Sequence, residues 1–137
     1  IAVELGTHLH IGQSDGDPAV VREALGPDRL LGVSVSSRAE LDAIAAIGCA
    51  DVVGLSPVWS TSTKTDTAPA LGLEGVRELL AARPAGLPAV AIGGINATNA
   101  AEVIATGVDG ICVVSAIAAA TRPREAAARL KELWEKP

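Results

Sequence analysis

"GCADVVGLSP", residues 48–57, decides the fold. A glycine opens it, a short apolar run around Val52, Val53 and Leu55 fills it, and Ser56 and Pro57 close it. The same design recurs in "GTHLHIGQSD" from Gly6 and "GVDGICVVSA" from Gly107. "RLLGVSVSS" (29–37) and "PAVAIGGIN" (88–96) lack the leading glycine but end in the same small, polar chemistry. Apolar runs this short, bounded by turn residues, predict strands buried on both faces. Five strands are expected, centred near Leu9, Gly32, Val53, Ala91 and Val113.

Helix signals fill the intervals. Asp17 before Pro18 predicts an N-cap followed by the first helical residue, with Gly26 as a left-handed stop. Ser37 with Glu40 three residues on predicts a capping box, after which Leu41, Ile44, Ala45 and Ile47 form one apolar face ending at Gly48. A further helix is expected from Leu73 to Arg83, another from Asn96 or Thr98 to Gly107, and a last one opened by Thr121 and Pro123. In that last helix Ala126, Leu130, Leu133 and Trp134 share one face, which makes Trp134 an expected core anchor.

Alternating strands and helices with apolar strands define an α/β protein with a parallel sheet. Small or polar residues follow all five strands. A (β/α)8 barrel builds its site from such strand ends, whereas an open doubly wound sheet concentrates chemistry at one switch point. The expectation is therefore a (β/α)8 TIM barrel, N-terminally incomplete: about five β/α units in a single domain over residues 1–137. "IAVEL" ahead of Gly6 resembles the last turn of a helix that starts upstream. A strand left unpaired on that side would be prone to pair with a second copy, giving a homo-oligomer.

Composition narrows the partners. Of 137 residues 49% are hydrophobic, yet Trp59 and Trp134 are the aromatic residues present and the net charge is −5. A basic surface and stacking aromatics, which nucleic-acid binding needs, are both missing. No apolar run approaches the roughly 18 to 20 residues of a membrane span, so a soluble, cytoplasmic protein is expected. Cys49 and Cys112 lie in apolar sequence surroundings and are expected as buried, reduced thiols.

The polar stretch after the third strand, "SPVWSTSTKTDTAPALGLEG" (56–75), has no branched aliphatic residue between Val58 and Leu71. It predicts a long binding loop carrying hydroxyls at Ser60, Thr61, Ser62 and Thr63 and a cation at Lys64. Gly93 and Gly94, between a strand and a helix, leave backbone N–H groups open to a phosphate, although a tight turn would call for the same residues. Ser115 closes the next strand, and phosphate sites after adjacent barrel strands recur. Asp15 follows the first strand; a carboxylate without His or Cys partners suits magnesium, which binds one or two carboxylates together with substrate phosphates. Asp17 is explained by helix capping, and His8 and His10 by local hydrogen bonds. Ser34 ends the second strand on the same rim.

Taken together, "GQSD", "LLGVS", "VVGLSPV" followed by "TSTKTDTAPALGLEG", "AIGGIN" and "GVDGICVVSAI" resemble the thiamine phosphate synthase family in order and spacing, over essentially the whole chain. The resemblance implies a barrel enzyme that condenses hydroxymethylpyrimidine diphosphate with hydroxyethylthiazole phosphate, giving thiamine phosphate and diphosphate. It implies a dissociative course: diphosphate leaves with magnesium assistance, and the thiazole nitrogen captures a pyrimidine-methyl cation. By motif, Asp15 is similar to a magnesium ligand, and Ser34 and Lys64 resemble catalytic contacts on the diphosphate side. Thr61, Ser62, Thr63, Gly94, Val114 and Ser115 resemble the thiazole phosphate site. The family's first three strands, with a Gln-x-Arg-x-Lys segment and an Asn-Asp pair, have no counterpart here. Ser36 stands where many members have His, and Trp59 where they often have Phe or Tyr. Two alternatives stand beside the synthase: a thiazole tautomerase, disfavoured because "GVSVSS" and residues 56–75 hold no His for proton transfer, and a non-catalytic partial barrel.

Overall fold

The computed structural model describes residues 1–60 and 68–135. Strands β1 (Leu9–Ile11), β2 (Leu31–Val35), β3 (Val52–Leu55), β4 (Ala89–Ile92) and β5 (Gly110–Cys112) form one sheet, all parallel, in the spatial order of the chain. That order contains no reversal. Because β-crossover-β connections are almost always right-handed, an order without reversal places the connecting helices on one face and winds the sheet singly, as in a barrel. Among the described residues β1 and β5 each pair with a single neighbour.

Register sorts the strand residues into two faces. Ile11, Val33, Val53 and Ala89 lie in one row and Val35, Leu55 and Ala91 in the next, each at most 4% exposed. The opposite face carries His10, Gly32 and Val52 in one row and Ser34, Gly54, Val90 and Gly110 in another, with Ile92 beside Cys112. The expectation of strands apolar on both faces holds in full for the helix-facing side; the other side, which a barrel turns toward its axis, mixes Val52, Val90 and Ile92 with His10, Ser34 and glycines and is less deeply buried. Cys112 lies on that side and is exposed, against expectation, whereas Cys49 is buried.

Helices α1 (Ala2–Leu5), α2 (Pro18–Leu25), α3 (Arg38–Ile47), α4 (Gly72–Ala82), α5 (Ala100–Ile104), α6 (Ser115–Ala118) and α7 (Pro123–Glu135) alternate with the strands. Asp17 caps α2 by accepting from the Ala19 N–H at 2.8 Å. Its stop, Gly26, takes φ 77 and ψ 175, a glycine conformation outside the left-handed helical well that was expected. The capping box at α3 is half formed: Ser37 Oγ accepts from the Glu40 N–H, but the Glu40 carboxylate turns to the N–H and hydroxyl of Ser36 at 2.6 and 2.9 Å. Leu41 and Ile44 are buried, whereas Ile47 is half exposed. In α7 Leu130 packs into the core while Trp134 remains 39% exposed. The helix is thus anchored one turn earlier than the sequence pattern suggested.

The three glycine-led repeats share a device at the N-terminal end of the sheet. The residue just before the strand accepts a backbone N–H from its neighbour: His8 Nδ1 from Leu30 at 2.9 Å, Asp51 Oδ2 from Leu31 at 2.7 Å, and Asp109 Oδ2 from Ala89 at 2.8 Å. Arg22 and Arg83 close over the Asp51 and Asp109 carboxylates as ion pairs. The backbone N–H bonds, followed by the arginines, hold both carboxyls below the usual carboxylate range.

Candidate functional site

Since all five strands run parallel, the segments after their C-terminal ends share one rim. Asp15 follows β1, Ser34 is the next-to-last residue of β2, residues 56–60 leave β3, Gly94 follows β4, and Val114 and Ser115 follow β5. The structure therefore collects Asp15, Ser34, Gly94, Val114 and Ser115 at one end of the sheet. Thr61, Ser62, Thr63 and Lys64 lie outside the described residues, although the chain on either side of them is placed.

That placement is tight. The Val58 and Trp59 N–H groups donate to the carbonyls of Ile92 and Gly93 at 3.0 and 3.1 Å, so the exit from β3 continues alongside β4. On the far side, the Leu71 and Gly72 N–H groups donate to the carbonyls of Pro57 and Val58, both at 2.9 Å. The loop that carries Lys64 therefore starts and ends on the same short stretch. A Cβ on Gly93 would meet Pro57 Cβ at 2.7 Å, and one on Gly94 would meet Trp59 Cβ at 2.9 Å. Both glycines have positive φ, 106° and 66°. Close loop packing thus requires this pair independently of any phosphate. Among the described residues no backbone acceptor pairs with the N–H groups of Gly94, Ser115 or Ala116.

On the other side of the rim, Asp15 Oδ2 accepts from the Gly12 N–H at 2.7 Å, which fixes the turn and leaves Oδ1 unused among the described residues. His10 Nε2 lies 2.9 Å from Ser34 Oγ, and Gln13 Nε2 donates to the Ser34 carbonyl at 2.6 Å. Partial burial lowers the His10 pKa from its ordinary value, opposed by the Asp15 carboxylate. A cavity of about 300 Å³ opens beside these groups, lined among others by Gly12, Gln13, Ser34, Ser36, Glu40 and Ser56. Among the described residues no three His, Cys, Asp or Glu side chains converge on a metal position. A lone carboxylate with one oxygen unused among the described residues would suit magnesium as a single anchor.

Sequence reasoning passed over Gln13, Glu40 and the His10 side chain as parts of this site. The strand glycines Gly32 and Gly54 were the available signal for His10, since strand interiors use glycine where something approaches closely.

A singly wound parallel sheet, with an acid, a hydroxyl and a glycine pair on its C-terminal rim, defines a barrel-type α/β protein. The model of the family described as TMP-TENI, thiamine monophosphate synthase, matches residues 1–117, and the chain belongs to that family. Thiamine-phosphate synthase of Laribacter hongkongensis is 47% identical over 98% of this chain and 61% of its own length. The thiamine biosynthesis multifunctional protein ThiED of Corynebacterium glutamicum is 47% identical over 98% of this chain and 19% of its own. Among solved structures, thiamine phosphate pyrophosphorylase from Pyrococcus furiosus superposes with a TM-score of 0.85 at 36% identity, over 97% of this chain and 64% of that one. The chain thus spans about three fifths of the single-function synthases it matches. Orotidine 5'-phosphate decarboxylase from Pyrococcus horikoshii, at 17% identity and a TM-score of 0.70, shares the fold.

Proposed function

We propose that residues 1–137 form one domain, the C-terminal part of a cytoplasmic thiamine phosphate synthase that joins hydroxymethylpyrimidine diphosphate to hydroxyethylthiazole phosphate and releases diphosphate. The observation that carries this reading is the common rim of Asp15, Ser34, Gly94 and Ser115, with the base of the Lys64 loop held between β3 and β4. Relatives at 47% identity along 98% of the chain support the same assignment.

Each end of the rim has its own task. Ser34 donates a hydrogen bond from its hydroxyl to the departing diphosphate, and Lys64 adds a positive charge on that side, so negative charge growing on the leaving group meets donors already in place. The open amides of Gly94 and Ser115 hold the thiazole phosphate, assisted by Val114 and by the hydroxyls of Thr61, Ser62 and Thr63. The thiazole nitrogen is thereby oriented toward the pyrimidine methylene carbon before the C–O bond to diphosphate breaks. Asp15 would hold magnesium through its free oxygen, and the ion, when bound, neutralises diphosphate charge. No helix among the described residues is long and apolar enough to cross a membrane.

Product formation from both substrates, set against isomerisation of the thiazole alone, tests the assignment. Lys64→Ala should lower kcat/KM for the diphosphate substrate by about 10²- to 10³-fold, the usual loss when a donor to developing charge is removed. Unchanged turnover in that variant would exclude Lys64 from the reaction.

A further inference from the structure

We propose that His10 is a positioning residue for Ser34, aiming its hydroxyl into the mouth of the sheet, and that Gly32 and Gly54 lack side chains to make room for the imidazole. The proposal rests on the functional reading above, in which Ser34 touches the diphosphate.

His10 lies opposite Gly32 on the face of the sheet turned away from the helices, and Gly32 lies opposite Val52, the neighbour but one of Gly54. The ring crosses β2. A Cβ built on Gly32 would lie 2.2 Å from His10 Nδ1, and one on Gly54 would lie 3.0 Å from Cε1 and 3.3 Å from Nε2. Neither glycine has a positive φ, so any residue could adopt the backbone at both positions. Glycine inside a strand forfeits packing and adds chain entropy to the unfolded state. Two such residues on adjacent strands, both beneath one ring, are explained by that ring.

The ring's position has a chemical consequence. Ser34 is gripped twice, its carbonyl by Gln13 Nε2 at 2.6 Å and its hydroxyl by His10 Nε2 at 2.9 Å. When Nε2–H donates to Oγ, the serine proton has no acceptor on the imidazole and turns to the mouth, where the proposed diphosphate oxygen accepts a hydrogen bond from it. A serine without this partner would rotate among three staggered positions, only some of them productive. His10 therefore acts through Ser34 and need not touch substrate.

The test uses the complete synthase polypeptide that contains this chain. His10→Phe keeps a ring over the two glycines and removes the nitrogens; His10→Gln restores a donor. His10→Phe should lower kcat/KM for the diphosphate substrate about tenfold, the worth of one neutral hydrogen bond. His10→Gln should recover most of that loss. In the Ser34→Ala background His10→Phe should cost nothing further, because its effect passes through the hydroxyl. Additive losses, or a Gln variant as impaired as Phe with the same melting temperature, would overturn the proposal. Imidazole nitrogen NMR shifts of unaltered protein and of Ser34→Ala give a reading independent of turnover: His10 shifts should move on loss of the hydroxyl, and unmoved shifts would refute the pair. Absence of synthase turnover in the unaltered polypeptide would refute the functional reading instead, leaving the spectra to decide the His10–Ser34 bond.

Discussion

Replacing Gly93 with Ala isolates the close packing at the centre of the rim. The new Cβ would lie 2.7 Å from Pro57 Cβ, 2.8 Å from Pro57 Cα and 3.1 Å from the Val58 nitrogen. These neighbours cannot retreat cheaply, since Pro57 is buried, its carbonyl accepts from Leu71, and Val58 donates to Ile92. An L-residue at φ 106° also carries backbone strain of about 1–2 kcal/mol, and overpacking a tight contact adds about 1–3 kcal/mol. The expected loss is therefore about 2–5 kcal/mol, a large part of a typical domain's stability. Gly48→Ala is the matched control: φ is again positive, at 68°, but nothing lies within 4 Å of the added carbon, so only the strain of about 1–2 kcal/mol should appear. Urea unfolding of both variants, with unchanged slopes, measures the difference. If Gly93→Ala cost no more than Gly48→Ala, the β3 exit would not be clamped against β4 as described.

Two further outcomes follow from the charges. Folded-state pKa values of Asp51 and Asp109 lie below their unfolded values, so each contributes stability above the unfolded carboxylate pKa that is lost as pH falls through the folded one. Asp51→Asn and Asp109→Asn should therefore flatten the acid limb of a melting-temperature profile below about pH 4, the reference carboxylate value; a limb as steep as the parent's would contradict the assignment. Chelation should abolish synthase turnover and added magnesium restore it, and Asp15→Asn should raise the magnesium concentration needed for half-maximal rate.

Periodicity and punctuation made most of the fold legible. Glycine and capping residues marked where elements end, and Asp17, Pro18, Ser37 and Gly48 occupy the positions that local chemistry assigns them. The polarity of strand ends pointed to a barrel rather than an open sheet, and the chain-order sheet agrees. What eluded the sequence was tertiary. Trp134 and Ile47 satisfy helical spacing but remain 39% and 47% exposed among the described residues. Glu40 fits a capping box by spacing, yet Ser36 offers its carboxylate both an N–H and a hydroxyl, and the cap loses the competition. The two faces of the sheet were also merged, because a strand such as "LGVSV" shows Gly32 and Ser34 as interruptions until register sets Gly32 beside His10 and Ser34 beside Gly54.

That alignment gives the glycines two distinct uses. Gly93 and Gly94 have positive φ and bring two loops together, which sets where the Lys64 loop leaves the sheet. Gly32 and Gly54 have ordinary strand conformation and make room instead for a side chain from β1. Both kinds act across strands, so neither could be assigned from its local sequence, in which a glycine signals only a turn, a bulge or a close approach. The distinction bears on substitution. Alanine at 93 should strain the backbone and harm stability first, whereas alanine at 32 meets no backbone objection and should harm the His10–Ser34 bond first. Residues that carry no functional group thus determine the geometry at two places along the rim.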